Sequence, residues 1–424
     1  MLCSDLISYF ENGGADKRFA ALYGEKNVPS QRKRYASAAA GFMKLYGDGE
    51  CVVLSVSGRS EISGNHTDHN KGCVLAASVD VDIIAVVMKT DDKIIRVKSE
   101  GFDEDLCDLA AVPDKNGMRY SSKAIIYGVC DGFSKRGYKT GGFRAFTTST
   151  VLKGSGLSSS AAFEDMMGYI LSVLYNGGSV SDVEIAKISQ YAENEFFGKP
   201  CGLMDQVACA VGGFVYIDFG SDEPEIVPVP FDLTAAGYDL CIVNTGGNHA
   251  DLNEDYASVP AEMKGAAALF GKKALRGLTE DDIINKLPKI REKLGDRAAL
   301  RAVHFIRENE RVKKQKDALL SGNIDGFLQC AKESGDSSYK YLQNVYTNKN
   351  PSEQGLSLAL CMTEGFLKGQ KAAYRVHGGG FAGTIQAYVP SSLTDEYKAF
   401  TERIFGPGSC SVLHVRAEGT ARIV

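Results

Sequence analysis

The 424-residue sequence has no C-x-x-C pair, no long basic run, no apolar stretch of membrane-spanning length and no repeat of fixed period. Each absence removes a class of protein. Eleven cysteines scattered singly from Cys3 to Cys410 read as reduced thiols, mostly in the core, which argues against a zinc module or a disulfide framework. Without a basic run, and with a formal charge of -5, the chain advertises no surface for nucleic acid or membrane. The start, "MLCSDLISYFENGG", carries acidic residues and lacks the basic-then-apolar order of a signal peptide, so the expectation is a cytoplasmic protein that handles a small solute. G-x-x-x-x-G-K-[ST] is missing, which excludes the familiar P-loop. The tripeptide "DFG" at Asp218–Gly220 has neither an H-R-D loop nor a G-x-G-x-x-G pair with it and reads as coincidence.

What is present is apolar content of 44%, enough in a chain of this length for two packed domains. Residues 16–46 have helical spacing. "CVVLSV" and "CVLAASVDVDIIAVVMKT" read as strands, "KAIIYGVCDGFSKRG" as a helix and "GGFRAFTTSTVL" as a strand. After "FVYIDF" a loop of prolines, glycines and acidic residues marks a domain boundary, giving residues 1–220 and 221–424. The second part opens with the strand "YDLCIVNT", continues helically over residues 258–336, and ends in "KAAYRVHGGGFAGTIQAYVP", a glycine loop between strands. The tail "CSVLHVRAEGTARIV" reads as one final strand.

Two stretches carry chemistry. In "KGSGLSSSAA", Lys153 to Ala162, small residues let backbone N–H groups approach an anion, the serines add donors and a metal ligand, and a helix follows with its positive end toward the same point. A phosphate loop and a serine-rich helix cap are the two readings of this stretch. In "SGRSEISGNHTDHNKG", Ser57 to Gly72, three readings are open: a metal site on His66, Asp68 and His69, a substrate-gripping loop, or a polar turn after a strand. The metal reading needs further ligands that the sequence does not offer nearby.

In chain order these stretches and "VHGGGFAG" resemble the three motifs of the GHMP small-molecule kinases. The first motif and "CGLMDQ" resemble galactokinases in particular, whose pattern is G-R-V-N-L-I-G-E-H-T-D-Y-N; Gly58, Arg59, Gly64, His66, Thr67, Asp68 and Asn70 stand in register with it. The likeness continues through "YAENEFFGKPCGLMDQ", "NTGGNHADLNEDY" and "AVHFIRENERV". The resemblance implies an α+β fold of two domains, an N-terminal one like domain 2 of ribosomal protein S5 and a C-terminal ferredoxin-like one, with ATP and a sugar meeting between them. The implied activity is ATP-dependent phosphorylation of the anomeric (C1) hydroxyl, with galactose as first candidate. The alternatives are a kinase for a related sugar such as N-acetylgalactosamine or arabinose, and a sugar and ATP sensor without turnover.

The resemblance also assigns residues. Asp205 matches the catalytic aspartate and Arg59 its neighbouring arginine; Asn65, His66, Asp68, Gly202 and Tyr256 match the sugar pocket. Gly154, Ser155, Gly156, Leu157, Ser158, Ser159, Ser160 and Ala161 form the ATP phosphate loop, and Ser160 and Glu193 match the Mg²⁺ ligands. These roles suit phosphoryl transfer, in which positioning and charge stabilisation do most of the work. The sequence departs from the galactokinase pattern at Glu61, Asn65 and His69, where that pattern has asparagine, glutamate and tyrosine. Val259 replaces an arginine and Ala382 a glycine. The family's glutamate grips the sugar's outer hydroxymethyl, so Asn65 points to altered sugar choice, and Asn65→Glu is expected to shift activity toward galactose. Ala382 is compatible with the loop if its φ is negative.

Overall fold

The computed structural model describes residues 1–151, 156–247 and 252–424. Helices α1 (Cys3–Glu11), α2 (Asp16–Tyr23) and α3 (Val28–Tyr46) precede two long strands, β1 (Val52–Ser63) and β2 (Cys73–Lys89). The strands β3 (Ile94–Ser99) and β4 (Glu104–Asp108) lead through α4 (Lys115–Met118) to α5 (Ser122–Lys135) and β5 (Phe143–Ser149). Next come α6 (Ser159–Tyr175), α7 (Asp182–Ala192), α8 (Met204–Val211), β6 (Phe214–Asp218) and β7 (Glu225–Val229). The rest runs β8 (Tyr238–Asn244), α9 (Asn253–Ala268), α10 (Glu280–Leu294), α11 (Asp296–Leu320), α12 (Ile324–Ser337), α13 (Gly355–Phe366), β9 (Ala373–Val376), β10 (Thr384–Pro390), α14 (Thr394–Phe405), β11 (Cys410–Leu413) and β12 (Thr420–Arg422).

The unbroken apolar runs of β1 and β2 follow from layering. Val53, Ile84 and Val86 pack with α1 to α3 on one face of the first sheet, whereas Leu54, Ala85 and Val87 pack with α5 to α7 on the other. Side chains alternate across a strand, so a sheet covered on both faces needs an apolar residue at nearly every position. β2, at 17 residues, pairs β1 along one edge, while its other edge takes β6 with its first half and β5 with its second. The sheet order is β12-β1-β2-β5-β3-β4, with β6 and β7 continuing from β2. Register shifts at Ser57/Gly58 and Glu61/Ser63 bend β1 on either side of Arg59.

The second sheet, β11-β8-β10-β9, is likewise covered on both faces. Cys241, Val243 and Ile385 pack toward α13 and α14, and Leu240, Ile242 and Tyr388 toward the core that includes α11 and α12. The expected α+β class holds, with two differences. The boundary drawn at residue 220 falls inside the β6–β7 hairpin; the second sheet starts at Tyr238, because Glu225–Val229 finds its partners on β6. The single final strand is two: β11 pairs β8 in the second sheet, and β12 returns to β1 in the first. Buried Arg416 lies between them and reaches Asp82 on β2, at 3.2 Å. Among the described residues no helix is long and apolar enough to cross a membrane.

Candidate active site

Arg59 follows the first bulge of β1, and Asp205 lies in the first turn of α8, where a helix favours negative charge. The guanidinium grips the carboxylate with two parallel bonds, Nε to Oδ1 and Nη2 to Oδ2, both 2.8 Å. Its third nitrogen, Nη1, donates to the carbonyl of Gly156. Arg59 is buried, whereas the Asp205 side chain keeps 34% of its surface. Burial pushes the Asp205 carboxyl upward, but the charge and hydrogen bonds of Arg59 and the hydroxyl of Ser158 outweigh it and hold the group below its ordinary value. The site therefore presents an ionised, partly open carboxylate.

The serine-rich loop meets this pair directly. The Arg59 N–H donates to the carbonyl of Leu157 at 3.1 Å, a packing that requires Gly58: a Cβ there would lie 2.9 Å from the same oxygen. Ser158 occupies the N-cap position of α6 in a left-handed conformation, φ 57°, but makes no side-chain cap. Its hydroxyl donates instead to Asp205 Oδ2 at 2.6 Å. The helix-cap reading is thus corrected for Ser158, and among the described residues no side chain caps this end, which leaves the first N–H groups of the 17-residue helix to an anion. Ser159 and Ser160 stand in its first turn, Ser160 exposed, with Leu157 and Ala161 buried beneath. Gly154 and Ser155 lie outside the described residues.

Glu193 follows α7 at the start of a π-helical turn, Glu193–Phe197, and is buried. Its Oε2 accepts from Gln206 Nε2 at 3.0 Å, while Lys199 Nζ stands 3.6 Å from Oε1. Gln206 Nε2 also donates to Glu164 Oε2 at 3.0 Å, and burial together with the charge of Glu193 pushes Glu164 up to about 8. The contacts of Glu164 and Gln206 and the Ser158–Asp205 bond were not legible in the sequence, since the partners are distant along the chain. Hydroxyl and carboxylate oxygens are the hard donors that Mg²⁺ prefers, so Ser160 and Glu193 fit that ion chemically. Among the described residues no cluster of three or more His, Cys, Asp or Glu is arranged for a metal, including around His66 and His69.

Four of the five expected sugar residues are at least partly accessible, and a different group of contacts holds each. Asp68 and Gly202 meet at the wall of a cavity of about 700 Å³ that also takes in His69, Gln190 and Asn194. A Cβ on Gly202 would lie 3.0 Å from Asp68 Oδ2. His66, in a left-handed conformation with φ 59°, donates from Nε2 to the carbonyl of Gly379 at 2.9 Å. Burial pushes its pKa down to about 4, so the ring is neutral and Nδ1 is left as an acceptor. Tyr256 donates to the carbonyl of Gly380 at 2.8 Å, and its ring stands edge-on to Phe381.

Asn65 corrects the expectation made for it. It is wholly buried, and its amide is spent on protein partners, so it does not face the cleft. The other departures are accommodated. In the glycine loop Gly378, Gly380 and Gly383 take positive φ together with Phe381, at 61°, and Ala382 does not. Val259 is buried in the helical core around α9 and α11.

Residues 124–213 match the GHMP kinases N-terminal domain, and residues 40–89 match the galactokinase galactose-binding signature. The chain is 31% identical over 374 residues to a galactokinase of Streptomyces coelicolor, covering 86% of this chain and 91% of that one. It is also 31% identical over 363 residues to a galactokinase of Actinobacillus pleuropneumoniae, covering 84% and 90%. Its fold is similar to that of Lactococcus lactis galactokinase complexed with galactose, with a TM-score of 0.73 at 23% identity over 90% of this chain and 98% of that one. The L. major mevalonate kinase in complex with R-mevalonate gives a TM-score of 0.57 at 14% identity, over 87% and 96%. The chain belongs to the galactokinase family of GHMP kinases.

Proposed function

We propose that the protein transfers the γ-phosphoryl group of ATP to the anomeric hydroxyl of galactose, giving galactose 1-phosphate and ADP. The observation that carries this reading is the Arg59–Asp205 fork, joined by Ser158 at the uncapped N-terminus of α6. Asp205 accepts the hydrogen bond of the hydroxyl and takes its proton as the O–P bond forms. The guanidinium of Arg59 keeps Asp205 ionised and steadies charge at the transferring group. The N–H groups of α6 and the hydroxyls of Ser159 and Ser160 receive phosphate oxygens. Ser160 and Glu193 would hold Mg²⁺, which neutralises charge on the β- and γ-phosphates when bound. His66 Nδ1 and Asp68 accept from ring hydroxyls, with Gly202 leaving room for Asp68 and Tyr256 holding the loop beneath.

A kinase for another galactose-like sugar is the second reading, supported by the burial of Asn65, which leaves that position no group to offer a sugar. ADP release with MgATP, measured over galactose, N-acetylgalactosamine, arabinose, fucose and glucose, separates the readings; NMR of the product locates the phosphate. Galactose is expected to be the best substrate, with phosphate on C1. Turnover of a different sugar supports the second reading, and ATP binding with no turnover of any sugar points to a sensor.

Ser158→Ala is expected to lower kcat by about tenfold, the scale of one hydrogen bond to a charged group. It also removes one of the influences that depress Asp205, so the acid limb of the pH–rate profile is expected to move to higher pH. An unchanged profile would count against the coupling of Ser158 to Asp205.

A further inference from the structure

The end of β1 and the turn that follows it are held by the second sheet and its helices. Arg375 on β9 donates to the carbonyl of Ile62 at 2.6 Å, and Glu308 on α11 accepts from the N–H of Gly64 at 3.1 Å. His304, also on α11, donates from Nε2 to the carbonyl of Asn65 at 3.0 Å, its other nitrogen accepting from Ser337 at 2.9 Å. Ser60 bonds His377 at 3.1 Å, just before the glycine loop.

Asn65 is the centre of this joint. Its Nδ2 donates to Glu61 Oε1 at 2.9 Å and to the carbonyl of Gly378 at 2.7 Å. Its Oδ1 accepts from Asn344 at 2.6 Å and from Ser338 at 3.4 Å. Both donors and both acceptor positions of the amide are therefore occupied. The amide orientation is dictated by its neighbours, because a carboxylate and a carbonyl can only accept. Glu61 is itself buried, with Arg375 Nη2 at 3.5 Å from its Oε1. Next to Asn65, His66 bonds the carbonyl of Gly379, so the same turn grips two successive carbonyls of the glycine loop.

We infer that Glu61 and Asn65 form one positioning unit, in which a carboxylate on β1 orients the amide that locks the glycine loop of the second sheet against His66. Neither residue touches the sugar. The inference deepens the proposed activity, since the loop and His66 form the wall on which that sugar would rest. It also replaces the expectation for Asn65→Glu. A carboxylate at position 65 would face the Glu61 carboxylate and the Gly378 carbonyl with no donor between them, so the change is expected to disrupt the joint, not to redirect specificity.

The test is an isosteric cycle of Asn65→Asp, Glu61→Gln and the double variant. Asn65→Asp replaces the donating nitrogen by oxygen; Glu61→Gln then returns a donor, with the direction of the bond reversed. Asn65→Asp is expected to lower the melting temperature and to reduce kcat/KM by at least about tenfold. The double variant is expected to regain a substantial part of both losses. The galactose-to-arabinose ratio of kcat/KM is expected to stay within about threefold of the parent in every variant, because arabinose lacks only the hydroxymethyl that a sugar-reading residue would sense. Independent, additive effects of the two substitutions, or a ratio shifted by tenfold or more in Asn65→Asp, would overturn the inference. The melting-temperature cycle is measured without sugar, so it judges the pair even if the proposed substrate proves wrong.

Discussion

Asp205→Asn is expected to lower kcat by about three orders of magnitude, the middle to upper part of the range for a positioned general base. The substitution keeps the size of the side chain and one acceptor oxygen, but removes the charge. It removes none of the phosphate-binding N–H groups and hydroxyls of α6, and the remaining amide oxygen can still accept from Ser158, so ATP affinity measured by calorimetry is expected to stay within a few-fold of the parent. The loss is in kcat more than in the KM for sugar, since the carboxylate matters most as the hydroxyl proton departs. The parent's pH profile follows from the same geometry. The ordinary aspartate pKa is about 4, and Arg59 and Ser158 hold Asp205 below its ordinary value. Titration of Asp205 therefore contributes no acid limb between about pH 5 and 8. Substantial turnover by Asp205→Asn would remove Asp205 from the catalytic role.

Asp82→Ala is expected to destabilise the fold by about 3–5 kcal/mol, the cost of removing one partner from a buried ion pair. Asp82 on β2 is wholly buried and pairs Arg34 of α3 at 2.6 Å and Arg416 of the tail at 3.2 Å. It also accepts from Tyr23 at 2.5 Å and from Ser55. Alanine leaves the Arg416 guanidinium buried without its carboxylate, against a total stability of only about 5–15 kcal/mol for a typical domain. Urea unfolding is the measurement, and an unchanged midpoint would show that the tail and α3 are not held by this charge. The pH dependence has a definite sign. Burial pushes Asp82 up, but the two arginines and the hydroxyls of Ser55 and Tyr23 bring it below its ordinary value. A carboxylate depressed on folding contributes its stability fully above the unfolded pKa, about 4, and loses it as pH falls through the lower folded value. The variant is expected to lack that part of the acid transition. Asp82 also pairs in register with Ser57 at the first bulge of β1, so the loss reaches the strand that carries Arg59.

Part of the first sheet, β1, β2, β5 and β6, was legible because periodicity reports burial, whereas β3 and β4 were not read and β7 read as loop. The apolar runs of β1 and β2 and the spacing of α2, α3 and α5 are local patterns, and the layers above and below the sheet are the reason for them. "CSVLHVRAEGTARIV" read as one strand because its composition does not change where the chain leaves one sheet for the other; only the pairing of β11 with β8 and of β12 with β1 separates them. The boundary at 220 failed for a similar reason. Turn residues mark a bend in the chain, and a hairpin bend looks like a linker until the partner of β7 is known.

The candidate site divides in the same way. The kinds of residue the chemistry needs, a carboxylate, a guanidinium, small residues before a helix and hard oxygen donors, stand in the sequence at recognisable spacings. Charge and chemical type belong to each residue wherever the chain carries it. Which way a side chain points does not. Arg59 and Asp205 are 146 positions apart, Ser158 and Asp205 47, and Asn65 and Gly378 313, so the fork, the uncapped helix and the locked loop exist only after the two sheets have packed. The sequence by itself determined the α+β class, the family and the chemistry at hand. The tertiary structure decided that Ser158 serves Asp205 instead of its helix and that Asn65 serves the joint instead of the sugar. A buried polar group must find partners, and distant parts of the chain supply them.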